Sequence, residues 1–388
     1  MKIVTVLGTR PEIIRLSRVM ALFEATPGIE HVLVHTGQNY DYELNGVFFD
    51  DLEVKQPDYF LEVSRESVGK AYGDIIAKTE TVLLAEKPDA LVVLGDTNSA
   101  LAAIIAKRLH VPVFHMEAGN RSFDHNVPEE VNRKIVDHVS DINLVYTENA
   151  RRHLLAEGKS HREVYVSGSP MREVLDHQAP KIAASTATAD LGLTPGEFFV
   201  ISAHREENVD HPARLQDLLD TLQALHAEFG YEVLVSLHPR TRKRLEQLVG
   251  AEAAAGDDAG LGQGIRFQPP FGFSDYLRLQ MDAACVLSDS GTIAEESSML
   301  GFRAVTLRDS IERPEALDAG SIILAGLQPR FVIEAVRARM FDPAQSPSVP
   351  AEYQITDTSL RVRNLILSVA PRLGFWQSLH QDGNGSEA

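Results

Sequence analysis

Short runs of β-prone apolar residues, each ending in a polar turn and followed by a helical pattern, recur along this chain. Lys2–Leu7 runs into Gly8-Thr9-Arg10-Pro11-Glu12, and Ile13–Phe23 then carries apolar residues at helical spacing. The same order is readable at Ala90–Leu94, Val111–His115, Ile142–Tyr146, Phe198–Ser202, Cys285–Leu287 and Ala304–Leu307. Further strands are expected at His31–His35, Val164–Val166, Glu232–Leu237 and Gly264–Gln268. Strands that are apolar throughout are buried on both faces, and their alternation with helices builds parallel sheets. The predicted fold is therefore α/β, with two Rossmann-like domains whose strand ends face a central cleft. The first domain is expected over residues 1–180 and the second over 181–365, with a closing segment at 366–388. The polar, Ala/Thr-rich stretch Lys181–Glu197 reads as the bridge, Gly250–Gly264 as an exposed mobile loop, and Gln381–Ala388 as a disordered tail.

Length and composition bound what such a chain does. Its 388 residues suffice for about two domains with cores of their own. A formal charge of −18, from 37 Lys plus Arg against 55 Asp plus Glu, argues against a nucleic-acid binder, which wants a basic face. It leaves room for a small anionic ligand held by local arginines. The single cysteine, Cys285, lies in an apolar run and reads as a core residue. No apolar run approaches the ~20 residues that span a bilayer, and the N-terminal apolar run is too short for a signal peptide. A cytoplasmic protein without a membrane association is expected.

The densest polar chemistry follows the strand ending at Phe114. Residues Phe114–Arg133 carry Glu117, Asp124, Glu129 and Glu130 with His115, Arg121, His125 and Arg133. In open α/β sheets ligands bind at the carboxyl ends of strands. Carboxylates there are candidates for proton handling, although a solvated loop with internal ion pairs has the same composition. Asp96 ends another strand; it or Thr97 either faces the same ligand as Glu117 or caps the helix that follows. Arg10, beside Pro11 at a helix start, suits an anion at the free N–H groups, and a plain surface charge equally well. The GxGxxG fingerprint is absent, so no nicotinamide cofactor is expected.

The second half offers phosphate holders. Ser290 and the amides of Gly291 and Thr292 open a helix and suit a diphosphate; Glu295 or Glu296, one turn in, suits ribose hydroxyls. A Ser N-cap with acids complementing the helix dipole is the plainer account. Arg308 and Arg313 follow the next strand and are placed to approach the same anion. His204 and His238 each end a strand, and His204 beside Arg205 suits a departing phosphate. No spacing of His, Cys or Asp reads as a metal site, and neither metal nor other cofactor is expected.

Taken together these motifs resemble a known family. Gly8-Thr9-Arg10-Pro11-Glu12, Gly95-Asp96-Thr97, His115-Met116-Glu117-Ala118-Gly119, Pro128-Glu129-Glu130 with Asn132-Arg133, Asp289-Ser290-Gly291 with Glu295-Glu296, and Glu312-Arg313-Pro314-Glu315 are similar, in order, to the non-hydrolysing UDP-N-acetylglucosamine 2-epimerases. The likeness runs from Met1 to about Leu367. It implies a glycosyltransferase-B-like fold whose last helix packs back onto the first domain. It implies an isomerase acting on a UDP-sugar: a base removes the C2 hydrogen while UDP leaves C1, and UDP adds back to the 2-acetamidoglycal with protonation on the opposite face. On that likeness Asp96, Glu117, Glu129 and His204 are the catalytic candidates. Arg10, Ser290, Gly291, Glu296 and Arg313 match the family's UDP-binding positions, and Arg15, His238, Thr292 and Glu295 complete the set of substrate-binding candidates. A homodimer is implied.

The chain departs from the family's common branch at Asn120, at Asn98-Ser99, at Arg15 in place of a lysine, and at Gln38–Leu44. The pattern is more similar to the capsule and O-antigen branch, which converts UDP-2-acetamido-2,6-dideoxy-L-talose to UDP-N-acetyl-L-fucosamine. Alternatives are a UDP-N-acetylglucosamine 2-epimerase making UDP-N-acetylmannosamine, a glycosyltransferase on the same scaffold, and a non-catalytic nucleotide-sugar sensor.

Overall fold

The structure is a computed structural model and describes residues 1–37, 49, 52–124, 127–249, 262–341 and 349–373. The chain forms two compact units. One comprises Met1–Arg121, Pro128–Val174 and the stretch beginning at Ile355; the other comprises Ser122–Val127 and Leu175–Gln354.

The first unit is built on a seven-stranded sheet. Its strands are β1 (Lys2–Leu7), β2 (Glu30–His35), β3 (Tyr59–Phe60), β4 (Ala90–Leu94), β5 (Val113–Met116), β6 (Ile142–Val145) and β7 (Val164–Val166). They lie in the order β3-β2-β1-β4-β5-β6-β7, with parallel pairing throughout. The helices are α1 (Arg10–Ala25), α2 (Val68–Glu86), α3 (Ala102–Arg108), α4 (Glu129–Val139) and α5 (Glu148–Ala156), while α6 (Met171–Ala184) begins in this unit and continues as part of the second. Val4, Val6, Leu91, Val93 and Val113 pack with Ile75, Val82 and Leu83 of α2 and with Ala102, Ala103 and Ala106 of α3. The alternating residues Ile3, Thr5, Leu7, Val92 and Leu94 are buried as well, so the strands are covered on both faces, which explains their continuous apolar runs.

The second unit carries α7 (Ala187–Asp190), β8 (Phe198–Ser202), α8 (Glu206–Val209), α9 (Pro212–Phe229), β9 (Glu232–Ser236), α10 (Pro239–Val249) and β10 (Ile265–Gln268). It continues with α11 (Phe273–Asp282), β11 (Cys285–Ser288), α12 (Ile293–Leu300), β12 (Ala304–Thr306), α13 (Glu315–Asp318), β13 (Ile322–Leu324) and α14 (Pro329–Phe341). Its six strands are ordered β10-β9-β8-β11-β12-β13 and are also parallel. Cys285 is fully buried in this sheet, and burial pushes its thiol up to about 12.

Both strand orders reverse direction once. In the first unit β1 has β2 on one side and β4 on the other; in the second, β8 lies between β9 and β11. Chains leaving adjacent strands at such a point diverge to opposite faces and open a crevice at the carboxyl ends. The residues at those ends are Gly8-Thr9-Arg10 and Gly95-Asp96 in one unit, and Ala203-His204-Arg205 and Asp289-Ser290-Gly291 in the other.

The last described helix, α15 (Thr358–Val369), packs on α1. Thr358 Oγ1 donates to the carbonyls of Ser167 (3.1 Å) and Ser169 (3.2 Å), and the Ser359 amide donates to Glu173 (3.0 Å). The chain approaches so closely here that a Cβ on Gly168 would stand 2.8 Å from the Ile355 side chain. The final return to the first unit thus begins at Ile355, before the 366 expected from sequence, and apart from the short excursion at Ser122–Val127 the chain leaves that unit after Val174, before 180.

Other differences are local. Between Tyr40 and Ala90 the sequence pattern predicts no element, whereas β3 and α2 lie there. Strand β13 and helix α10 are likewise unanticipated. The expected bridge at Lys181–Glu197 contains the end of α6 and all of α7. The departures at Gln38–Leu44, most of the Gly250–Gly264 loop and the Gln381–Ala388 tail lie outside the described residues. No described helix is long and apolar enough to cross a membrane.

Candidate functional site

In the first unit the turn after β1 admits only glycine. A Cβ on Gly8 would lie 2.0 Å from Thr36 Oγ1 and 2.2 Å from Ser99 Oγ, which face each other at 2.8 Å. Helix α1 starts directly behind this turn with Pro11 in its first turn, a position where the missing N–H costs nothing. Arg10 is half-buried at its first residue. Glu12 and Arg15 follow one turn apart and are both buried.

Arg15 pairs through Nη1 with Glu117 Oε2. Glu117 follows β5 in a left-handed conformation, φ 62°, which L side chains adopt only when their surroundings enforce it. The enforcing contacts lie behind it. Both carboxylate oxygens of Asp137 accept from the Gly119 amide (3.1 and 3.2 Å), and Oδ2 also accepts from Arg121 Nη1 (2.7 Å). His115 stands between the Gly95 carbonyl (Nε2, 2.8 Å) and Asp137 (Nδ1, 3.0 Å). Burial alone would raise the Asp137 carboxyl, but His115 and Arg121 outweigh it and hold the group below the ordinary aspartate range. Arg121 is completed by Glu157 at 2.8 and 2.6 Å. His115 and Arg121 are therefore the scaffold of the Glu117 turn, the plainer of the two readings of that polar stretch.

Asp96 follows β4, next to β5 in the sheet. Its carboxylate accepts from Arg133 Nε (3.1 Å) and Nη2 (2.5 Å), and its carbonyl accepts from Asn132 Nδ2 (3.0 Å). Arg133 also binds Glu130 (2.6 Å). Thr97 occupies the N-cap position of the short 3₁₀ turn Asn98–Leu101 without capping it; its hydroxyl donates to Glu12 at 3.0 Å. Of the paired acids that open α4, Glu130 is buried while Glu129 is exposed, where it complements the helix dipole. Asp124 accepts from Ser310 Oγ at 3.3 Å, and His125 lies outside the described residues.

The second unit gathers its candidates around Asp289, which is fully buried. The Asp289 carboxylate accepts from the amides of His204 (2.9 Å) and Arg205 (2.9 Å) and from Asn208 Nδ2 (3.0 Å). His204 Nδ1 lies 3.2 Å from its other oxygen. The His204 ring stands 5.2 Å from that of His238, whose Nδ1 accepts the Arg240 amide at 3.2 Å. One carboxylate thus joins the loops after β8 and β11 and orients an imidazole at the switch point.

Ser290 Oγ and Thr292 Oγ1 lie 2.9 Å apart before α12, and Ser290 Oγ accepts the Thr292 amide at 3.3 Å. Arg313 donates to the Gly291 carbonyl (2.9 Å) and pairs with the fully buried Glu295. Glu296 accepts from Gln280 Nε2 at 3.3 Å. Arg308 is bound to Glu312 through both terminal nitrogens. The two arginines expected to reach for an anion are thus both paired with carboxylates of their own unit. Among the described residues no cluster of three or more His, Cys, Asp and Glu side chains is set to hold a metal ion.

Glu12 and Asp137 lie outside the candidates read from the sequence. Glu12 carried a signal, since Thr-x-x-Glu is a helix-start spacing. Asp137 carried none, being one acid among several on an amphipathic helix.

Known proteins share this sequence pattern and this fold. The sequence model of the family described as UDP-N-acetylglucosamine 2-epimerase matches residues 21–367. A curated UDP-N-acetylglucosamine 2-epimerase of Methanocaldococcus jannaschii is 37% identical over 341 residues, covering 87% of this chain and 91% of that protein. A UDP-2,3-diacetamido-2,3-dideoxy-D-glucuronate 2-epimerase of Pseudomonas aeruginosa is 34% identical, over 88% and 92%. Among solved structures, the UDP-N-acetylglucosamine 2-epimerase of Rickettsia bellii superposes with a TM-score of 0.89 at 45% identity, covering 98% of this chain and 100% of its own. The M. jannaschii enzyme in complex with UDP-GlcNAc and UDP gives 0.87 at 32%, over 95% and 100%.

Proposed function

The chain belongs to the UDP-N-acetylglucosamine 2-epimerase family, and from that membership we propose that it interconverts UDP-2-acetamido-2,6-dideoxy-L-talose and UDP-N-acetyl-L-fucosamine. The coarser activity is that of a non-hydrolysing UDP-sugar 2-epimerase, an isomerase with the glycosyltransferase-B-like fold.

The C2 hydrogen is not acidic enough to leave alone. A carboxylate removes it as the C1–O bond to the diphosphate breaks, giving a 2-acetamidoglycal and UDP. The diphosphate oxygen then re-forms the bond to C1 while a second group protonates C2 on the opposite face. Carboxylates handle the protons, and hydrogen-bond donors and arginine hold the diphosphate. Asp96 and Glu117 are the leading acid and base, with Glu129 the third candidate. His204, oriented by Asp289, serves the departing diphosphate. Arg10, His238, Ser290, Gly291, Thr292 and Glu296 bind UDP directly. Arg15 and Glu295 act through Glu117 and Arg313, to which they are bound.

The observation that supports this reading most is the pair of carboxylates at the ends of neighbouring strands. Each is held by its own arginine, Asp96 by Arg133 and Glu117 by Arg15. A transferase reading leaves that pair without employment. The 6-deoxy sugar rests on the departures at Asn120, Asn98-Ser99 and Arg15. The second reading, UDP-N-acetylglucosamine to UDP-N-acetylmannosamine, is favoured by the substrate named for the M. jannaschii and R. bellii relatives.

Incubation with each UDP-sugar separately, followed by proton NMR of the C1 and C2 signals, tests the choice. Conversion of the L-talo sugar at a kcat/KM well above that for UDP-N-acetylglucosamine is expected; the reverse order would replace the first reading by the second. Light scattering checks the homodimer expected for the assembly.

A further inference from the structure

Glu12 is an odd residue for its place. An acid in the first turn of a helix normally points to solvent and complements the dipole. This one is 1% exposed. Its Oε2 accepts from the Gly8 amide (3.1 Å) and from Thr9 Oγ1 (2.8 Å), and its Oε1 accepts from Thr97 Oγ1 (3.0 Å). The bland account is a capping box, for which Thr9 and Glu12 have the spacing. The geometry differs: Thr9 makes no side-chain cap bond to the helix, and its hydroxyl is turned onto Glu12. Thr97 repeats the pattern, leaving its own 3₁₀ turn uncapped to reach the same carboxyl. Two hydroxyls suited to capping are diverted to one buried acid, each at the cost of a cap.

What the diversion accomplishes is a link across the switch point. Glu12 belongs to the helix after β1, and Thr97 directly follows Asp96 in the loop after β4. Asn132 and Arg133 of α4 hold the carbonyl and carboxylate of Asp96 from its other side. Three residues on, Arg15 of the same helix α1 holds Glu117. One turn of α1 therefore sets both acid-bearing loops.

We propose that Glu12 is a positioning residue, which through Thr97 fixes the loop carrying Asp96 relative to the Glu117 turn. The proposal rests on the reading of Asp96 as a proton-handling group. It predicts that activity follows the Glu12–Thr97 link and not the bulk at either position. Misplacement of a reacting group by about 1 Å can cost on the order of 100-fold in rate.

The test uses Thr97→Val, Thr97→Ser, Glu12→Ala, Glu12→Gln, the double variant Glu12→Ala/Thr97→Val, and Asp96→Asn in the full-length enzyme. Thr97→Val keeps the shape and removes the hydroxyl, so it remains informative if Glu12→Ala fails to fold. The expected result is a kcat for Thr97→Val and Glu12→Ala reduced roughly 10- to 100-fold with KM nearly unchanged. Thr97→Ser and Glu12→Gln, which retain a bond across the loops, should restore most of the rate. The double variant should be no slower than the slower single one. Wild-type kcat in Thr97→Val, losses that multiply in the double variant, or a loss confined to KM would each overturn the proposal. Full activity in Asp96→Asn would instead remove the underlying reading of Asp96, so the two failures are distinguishable.

Discussion

Arg15 and Glu117, 102 residues apart in the chain, form a buried ion pair that joins the first helix to the turn after β5. Removing one member of such a pair strands the other without compensation, which typically costs about 3–5 kcal/mol. Arg15→Met is expected to lower the urea midpoint by a corresponding amount, and Arg15→Lys by less. The double variant Arg15→Met/Glu117→Gln should regain part of the loss, because no unpaired charge remains. Urea unfolding followed by circular dichroism measures all three. An Arg15→Met midpoint equal to wild type would mean that the pair does not form in solution.

Carboxylates that move a proton are separable from groups that merely bind. In heavy water the wild-type enzyme should exchange the C2 hydrogen of its UDP-sugar for deuterium. Asp96→Asn and Glu117→Gln should slow that exchange by roughly 10²- to 10⁴-fold. Affinity for UDP, measured by titration calorimetry, should stay within about threefold of wild type, since neither acid is among the groups proposed to hold UDP. Exchange at the wild-type rate in both variants would remove these acids from the mechanism.

The parts of this site that were legible in sequence share one cause. A strand ending in a polar turn before a helix is visible in any chain that alternates apolar runs with helical spacing, and that placed Asp96, Glu117, His204 and Asp289 at strand ends. Side-chain partnership over long separations was not legible, so the binding of Arg15 to Glu117 and of Glu12 to Thr97 could not be read from spacing. Glu129 and Glu130 were inseparable for a related reason: one residue of helical phase decides which is buried. Helix α2 was missed because its solvent side keeps apolar residues, with Val68 64% and Leu84 57% exposed, so the contrast that marks an amphipathic helix is weak.

Two glycines bear directly on the loops that carry the acids. Gly8→Ala forces a methyl onto the Thr36 and Ser99 hydroxyls at 2.0 and 2.2 Å. Gly119→Ala adds a Cβ 2.5 Å from the Ala150 carbonyl at φ 79°, a conformation that itself penalises alanine. Each is expected to destabilise by about 1–3 kcal/mol or more. Gly230→Ala, also at positive φ but with nothing within 4 Å of the added carbon, should lose less. Thermal unfolding midpoints rank the three. A Gly8→Ala midpoint at or above that of Gly230→Ala would contradict the packing described for the β1 turn.

Glu12 gives stability a pH dependence of known sign. Burial pushes its carboxyl up to about 7, against an ordinary value of 4.5, despite the bonds from Thr9, Gly8 and Thr97 that oppose the shift. Between those two values the folded chain holds a proton that the unfolded chain has released. This contribution is therefore most favourable at or below about pH 4.5 and falls as the pH rises through 7, by on the order of 3 kcal/mol. Glu12→Gln should flatten that portion of the profile. Urea midpoints at half-unit steps from pH 5 to 8, wild type against variant, read the difference directly. Parallel profiles would show that Glu12 does not titrate in this window.

His204 and Asp289 divide orientation from chemistry, and their variants should fail differently. The His204 ring is partly exposed, so His204→Asn removes a group that faces the proposed diphosphate while leaving the core untouched. A lower kcat with nearly unchanged stability is expected. Asp289→Asn is a smaller change in shape but a larger one in bonding. The carboxylate accepts from two backbone amides and Asn208, and it faces the His204 ring. An amide nitrogen there would point a donor at one of these donors inside the protein, which costs about 1–3 kcal/mol. Asp289→Asn should therefore lower both the unfolding midpoint and kcat. If its kinetic effect runs through the imidazole, the double variant should turn over no more slowly than His204→Asn alone, while keeping the stability loss of Asp289→Asn. Rate losses that multiply would mean that Asp289 serves the reaction by a route other than His204.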